Sequence, residues 1–276
     1  MILAEFLSKS ETQLKDAGIG SPRLDILILL EDALHRERSW ILAHPEHEIT
    51  DIQIRRIERK LARRAKHIPL AYIRGHSEFY GRSFKVNRHT LEPRPESENM
   101  ITLLKNLLQN NSSVYKYRPC RVADVGTGCG ALGITAMLEL EGLQADLYDI
   151  SASALAVAKH NAHLHELQHV HARKMNLLSR PLRPYDVILA NLPYVPTTWK
   201  INEAALHEPK IAIFGGNDGM DVYRKLFAQL ARFTWKPSYV FCEALPPHHK
   251  KLAGIADDAG FELYKTDDFI QVFRSR

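Results

Sequence analysis

The chain has 276 residues, of which 45% are hydrophobic and 25% charged, so it can bury a full core and neither a disordered nor a fibrous class fits. Lysine and arginine outnumber aspartate and glutamate 37 to 32, and the net charge of +5 tolerates an acidic or nucleic-acid partner without requiring one. No run reaches the roughly 18 to 20 consecutive apolar residues of a membrane span, and Met1 to Leu14 carries acids where a secretion signal carries early positive charge, so the expected location is cytoplasmic with no membrane partner.

Residues 1–75 show helical periods and almost no strand signal, which predicts a small N-terminal helical domain. Pro22 opens a helix with Leu24, Ile28 and Leu29 on one face, and Ile54, Ile57, Leu61 and Ile68 recur at three-to-four spacing. Residues 76–95 then change character: Phe79 and Tyr80, a Gly81-Arg82 turn, and Phe84 and Val86 predict a β-hairpin joining two domains. Residues 96–276 open with a helix near Glu96 to Leu108 and a polar stretch at Gln109 to Ser113. Strands follow at Arg121 to Val125, Ala145 to Ile150, Val170 to Met175, Asp186 to Ala190, Tyr239 to Glu243 and Phe261 to Thr266. They alternate with helices at Ala131 to Leu140, Ala152 to His163, Met220 to Thr234 and His248 to Ala259. Such alternation builds a mostly parallel α/β sheet with helices on both faces.

Chemistry concentrates at the carboxyl ends of these strands. Asp124-Val-Gly126-Thr127-Gly128-Cys129-Gly130 lies between a strand and a helix, where glycines admit a ligand to the backbone and the helix start offers free N–H groups. Gly128 to Gly133 also satisfies G-x-G-x-x-G, so the loop alone leaves both NAD and S-adenosylmethionine open. Asp149 ends the next strand about 20 residues on, placed to accept hydrogen bonds from both ribose hydroxyls of an adenosine; capping the helix near Ser151 is its purely structural alternative. The fourth strand decides between the cofactors. It runs into Asn191-Leu192-Pro193-Tyr194, a polar corner that a dehydrogenase does not need and a methyltransferase acting on a planar NH2 group does. The Asn191 side-chain oxygen and the Leu192 backbone carbonyl would hold the two N–H bonds, and the Tyr194 ring would pack on the flat target.

At these residues the sequence resembles the HemK/PrmC family, which methylates the glutamine of the Gly-Gly-Gln motif in peptide chain release factors. The resemblance runs from Pro69-Leu-Ala-Tyr-Ile-Arg-Gly75 and Glu78-Phe-Tyr-Gly81 through Pro93-Arg-Pro-Glu96-Ser-Glu98, the glycine loop and Asp149 to Asn161. It continues through Asn191 to Tyr194, Glu208-Pro209 and Gly215-Gly-Asn-Asp-Gly219-Met-Asp-Val-Tyr223. It implies S-adenosyl-L-methionine as cofactor, a release factor as protein substrate, and a seven-stranded Rossmann-like class I methyltransferase sheet behind a helical substrate-docking domain. It also implies that Gly126, Thr127, Gly128, Cys129, Gly130, Asp149, Asn176, Leu177 and Asn191 bind the cofactor, while Asn191 to Tyr194 bind the target glutamine. The expected state is a monomer. Four positions depart from the family pattern: Leu192 for a proline, Asn176 for an aspartate, Glu92 for an aliphatic residue before Pro93, and Ala244-Leu245 after Glu243 for a glycine and a glutamine.

Other features carry less. Cys120, Cys129 and Cys242 form no C-x-x-C pair and read as reduced, buried thiols. His160, His163, His165, His169 and His171 straddle a helix and strand with no cysteine or acid pair, so they read as solvated rather than metal-binding. Arg55, Arg56, Arg59, Lys60, Arg63, Arg64 and Lys66 read either as a solvated helix face or as a docking surface for a release factor or RNA. Val195 to Phe214 is long enough for a lid, with Trp199 either part of it or a core anchor, and Arg94 and Glu96, flanked by prolines, read either as stiffening the active-site rim or as a purely structural corner. The rival function is an adenine N6-methyltransferase acting on RNA or DNA, which would use the same corner on a flipped base.

Overall fold

Short apolar strands and amphipathic helices assemble, in the computed structural model, into two units: Met1–His76 with Ile201–His207, and Ser77–Lys200 with Glu208–Arg276. The structure describes residues 1–110, 118–168 and 170–276; His169 and most of the polar stretch at 109–113 lie outside them.

The first unit is helical, with α1 (Leu3–Asp16), α2 (Pro22–Leu34), α3 (Arg38–Ala43), α4 (Asp51–Arg64) and α5 (Leu70–Arg74) around a core that includes Phe6, Leu14, Ile26, Leu30, Ile57 and Leu61. Thr50 starts α4 by accepting a hydrogen bond from the Gln53 backbone while Gln53 reaches back to Thr50, a capping box that satisfies two otherwise orphaned donors. The face expected of α2 is corrected. Of Leu24, Ile28 and Leu29 only Leu29 is buried; Leu24 is 45% exposed, and Ile26, Leu27 and Leu30 are buried with Leu29. This helix is apolar on nearly every side, so a periodic reading could not choose its inner face.

From the last residue of the first stretch, His76, and on into the second unit, β1 (His76–Phe79) and β2 (Arg82–Lys85) form the hairpin, turning at Tyr80 and Gly81, both with positive φ as a tight primed turn requires. The main sheet contains β3 (Arg121–Val125), β4 (Gln144–Asp149), β5 (His171–Lys174), β6 (Val187–Ala190), β7 (Tyr239–Glu243), β8 (Phe261–Asp267) and β9 (Ile270–Ser275). Its order is β5-β4-β3-β6-β7-β9-β8, parallel except that β9 runs antiparallel between β7 and β8. The strand β9 was not among those read from periodicity, because Ile270, Gln271, Val272 and Phe273 are all buried and no apolar–polar alternation marks it. Helices α6 (Glu98–Asn110), α7 (Ala131–Glu139), α8 (Ala152–Leu164), α9 (Lys210–Ile213), α10 (Asp221–Arg232) and α11 (His249–Asp258) complete the unit. The chain order reverses between β3 and β6, which opens a crevice beyond their carboxyl ends. Among the described residues no helix is long and apolar enough to cross a membrane.

Candidate active site

A cavity of about 400 Å³ lies at that crevice, entirely within the second unit, bounded by the loops after β3, β4, β5 and β6 and by the segment from Arg88 to Arg94. The glycine loop begins where the ladder between β3 and β4 ends, with the backbone N–H groups of Gly126 and Thr127 both donating to the Tyr148 carbonyl at 2.8 and 2.9 Å. Gly126 has φ of +75°, and a Cβ there would sit 2.8 Å from Leu192 Cδ2, so only glycine leaves room where the loop meets the β6 corner. Beneath the loop, Asp124 accepts from Thr127 Oγ1 at 2.6 Å and from the Gly133 N–H at 2.9 Å, and burial raises its pKa to about 6.

Asp149 closes the loop from the side. Its Oδ2 accepts from the Gly128 N–H at 2.9 Å and its Oδ1 from the Ser151 N–H at 2.8 Å, while burial pushes its pKa upward. Ser151, not Asp149, caps α8, its hydroxyl accepting from the Ala154 N–H at 3.2 Å. A carboxylate offers about four lone-pair sites, so with two committed to the backbone Asp149 keeps acceptors for a ribose. Asn176 and Leu177 line the same end of the cavity, Leu177 with φ of +55°. Cys129 also lines it, but burial pushes its thiol up to about 12, so it stands there as a neutral group. Gly130 does not line the cavity; it starts α7 with φ of +89° against Ile134 and Ala158.

At the other end, Asn191, Leu192 and Pro193 line the cavity and Tyr194 does not. The Asn191 Nδ2 donates to Ser97 Oγ at 2.9 Å and to Glu243 Oε2 at 3.0 Å, Ser97 Oγ donates to Glu243 Oε2 at 2.5 Å, and the Tyr194 hydroxyl donates to Glu243 Oε1 at 3.0 Å. The Tyr194 hydroxyl is thus tied to Glu243, which fixes the ring's place beside the corner. Leu192 is buried, its N–H donating to the Tyr223 hydroxyl at 3.3 Å, and the one proton of that hydroxyl is shared between the carbonyls of Ala190 and Glu243. The tips of β6 and β7 are therefore pinned side by side.

Supporting groups come from far along the chain. Buried Asn161 on α8 accepts from the Lys85 N–H at 2.8 Å and donates to the carbonyls of Lys85 and Cys129, tying the hairpin to the glycine loop. Glu208 accepts from Arg94 at 2.5 Å and from the Glu92 N–H at 3.1 Å, bracing the segment that forms one cavity wall. Sequence reasoning placed none of Ser97, Glu243 and Tyr223 in the site. The signals that could have found them were there: Ser97 and Tyr223 lie inside segments that carry the family resemblance, and Glu243 ends the strand beside β6. Trp199 is 48% exposed and lies against His248, which removes it from the core. Among the described residues no cluster of histidine, cysteine or acid is arranged to hold a metal.

Residues 5–75 match the family model described as PrmC N-terminal domain, and residues 101–208 that described as Methyltransferase small domain. A release factor glutamine methyltransferase from Koribacter versatilis is 36% identical, covering 83% of this chain and 81% of its own. One from Bacillus cereus is 34% identical, covering 78% and 77%. A bifunctional methyltransferase from Rickettsia bellii is 33% identical over 95% of this chain, which spans only about half, 51%, of that longer relative. Among solved structures, the hMettl16 catalytic domain in complex with the MAT2A 3′UTR hairpin 6 superposes with a TM-score of 0.55 at 13% identity, covering 82% of each chain, a likeness of fold alone.

Proposed function

The chain belongs to the release factor glutamine methyltransferase family, and from that premise we propose that it transfers a methyl group from S-adenosylmethionine to the side-chain amide nitrogen of the glutamine in the Gly-Gly-Gln motif of a peptide chain release factor, in the cytoplasm. We assign residues 1–75 to substrate docking, 76–95 to a hairpin linker and 96–276 to cofactor binding and transfer.

The observation that carries this reading is the Asn191 side chain. Its nitrogen is committed to Ser97 and Glu243, which leaves its amide oxygen, on a residue that lines the cavity, as the acceptor for a target N–H. An amide nitrogen is a poor nucleophile because its lone pair is delocalised, so positioning is the main task left to the protein; orientation of two reactants can lower a barrier by roughly 7 to 11 kcal/mol. S-adenosylmethionine supplies a methyl on a sulfonium whose charge falls as the methyl leaves, so no strong base is needed at the start. Its fit is supported by Gly126 and Gly128 lining the cavity, the spare acceptor sites on Asp149, and the continuity of that cavity with Asn191.

The test is to incubate the full chain with labelled S-adenosylmethionine and, separately, a purified release factor and an adenine-containing RNA, then map the label by mass spectrometry. Label on the Gly-Gly-Gln glutamine is expected. Label confined to adenine would overturn the reading in favour of base methylation.

A further inference from the structure

Glu243 is a buried carboxylate, 1% exposed, that forms no ion pair among the described residues. Burying an unpaired charge is costly, so its retention calls for a use of the acceptors it offers. Three donors converge on it: Ser97 and Asn191 on Oε2, and Tyr194 on Oε1. The sheet register brings them together, since Ala190 pairs with Cys242 and the next residues are Asn191 and Glu243.

We propose that Glu243, acting with Ser97, is a positioning residue that locks the Asn191 amide in one orientation, nitrogen inward and oxygen toward the target. This rests on the reading of amide methylation given above. A primary amide is nearly symmetric in shape but opposite in chemistry at its two ends, and alone it could present either to the cavity. An ionised carboxylate only accepts. Ser97 has spent its proton on Glu243, so at Asn191 it accepts as well. A flipped Asn191 would set its oxygen against two acceptor oxygens and turn an NH2 toward the target's own NH2, ending the alignment. The same carboxylate holds the Tyr194 hydroxyl, so both ends of the corner hang from one group.

Replacing Glu243→Gln puts a donor into this arrangement, and the variant Asn191→Asp sets two carboxylates against each other. Combining them restores complementarity: the glutamine NH2 donates to one oxygen of the new carboxylate, and the other oxygen faces the cavity as an acceptor. The experiment is single-turnover methylation of a release factor by wild type, both single variants and the pair, with cofactor affinity measured by calorimetry. Glu243→Gln is expected to lose on the order of 100-fold in rate with unchanged cofactor affinity, the scale of a small misplacement at the reacting atoms. The pair should then regain at least about tenfold over the slower single variant, a coupling that independent sites do not show. Full rate in Glu243→Gln overturns the proposal, as does a pair no faster than the slower single variant when every protein binds cofactor. A second readout does not depend on the substrate. Hydrogen exchange of the Asn191 side-chain amide, followed by NMR on the asparagine-labelled chain, should be slow in wild type and fast in Glu243→Gln, and equal rates overturn the lock. Should wild type methylate no release factor while that protection difference holds, the functional reading fails and the lock stands.

Discussion

Asp149 and Asn191 divide the work of the cavity, and single substitutions at the two should fail in different ways. Asp149 holds the Gly128 and Ser151 N–H groups and has acceptors left over, so Asp149→Ala loses both a loop tether and a charged acceptor for a ribose. Hydrogen bonds to charged groups contribute about 1.5 to 3 kcal/mol, and calorimetry should therefore show cofactor affinity falling by roughly one to two orders of magnitude. Because burial raises the Asp149 pKa above its ordinary 3.8, the protonated, poorer acceptor forms at a higher pH than for an exposed aspartate. Wild-type affinity should thus weaken as pH falls through that raised value, and Asp149→Asn should not show the step. Asn191→Ala is the opposite case: the glycine loop and Asp149 stay intact, so cofactor affinity is kept while turnover collapses. A fully active Asn191→Ala protein in single-turnover assays would remove this side chain from the mechanism.

At the scale of elements, the site depends on contacts that bring distant segments together, and these divide what sequence alone can disclose from what it cannot. The edges of β3 and β7 are readable to the residue because each is an apolar run ended by a glycine-rich or charged corner. The loop from Gly126 to Gly130, Asp149 and Asn191 were readable for the same reason: each is a local motif at a strand end. Ser97 and Glu243, 146 positions apart, become partners only when the turn before α6 packs on the end of β7, just as the pairing of β6 with β7 sets Asn191 beside Glu243, and no local pattern carries either. Asn161 is similar. Its place on α8 was visible in the family resemblance, but its bonds to the hairpin and the glycine loop required the packing. Asn161→Leu should take away the partner of the Lys85 backbone groups and leave the buried Cys129 carbonyl without its Asn161 donor, a loss of about 1 to 3 kcal/mol for the buried group. The denaturant midpoint should fall accordingly, with cofactor affinity dropping because Cys129 lies in the loop. An unchanged midpoint would mean that the hairpin and loop hold their geometry without it. Gly219 tests another contact: with φ of +79° and the Tyr194 carbonyl where a Cβ would go, Gly219→Ala should displace the corner and lower turnover more than it lowers cofactor affinity.

Over the whole molecule, the net charge of +5 is unevenly displayed, and α4 shows how burial separates structural cations from steering ones. Seven basic residues crowd the stretch from Arg55 to Lys66, but they are not equivalent. Half-buried Arg64 pairs with buried Asp25 at 2.6 Å, and Lys60 lies 3.7 Å from Asp32, which Arg74 also binds. Arg55, Arg56, Arg59, Arg63 and Lys66 remain exposed. Removing Arg64 strands a buried carboxylate, so Arg64→Ala should destabilise the first unit by about 3 kcal/mol, read as a lowered denaturant midpoint. Reversing Arg56, Arg59 and Arg63 to glutamate should do little to stability, because exposed pairs on a helix surface contribute at most about 1 kcal/mol. What those three side chains supply is field. If they steer a release factor toward the docking unit, their reversal should raise KM at low salt and leave kcat in place. The wild-type KM should itself rise with ionic strength as the Debye length shortens to about 8 Å near physiological salt, and this dependence should flatten in the triple variant. Methylation kinetics across a salt series measure both quantities at once. Parallel curves for the two proteins, with equal KM at the lowest salt, would return α4 to the role of a solvated face and shift docking to another surface of the chain.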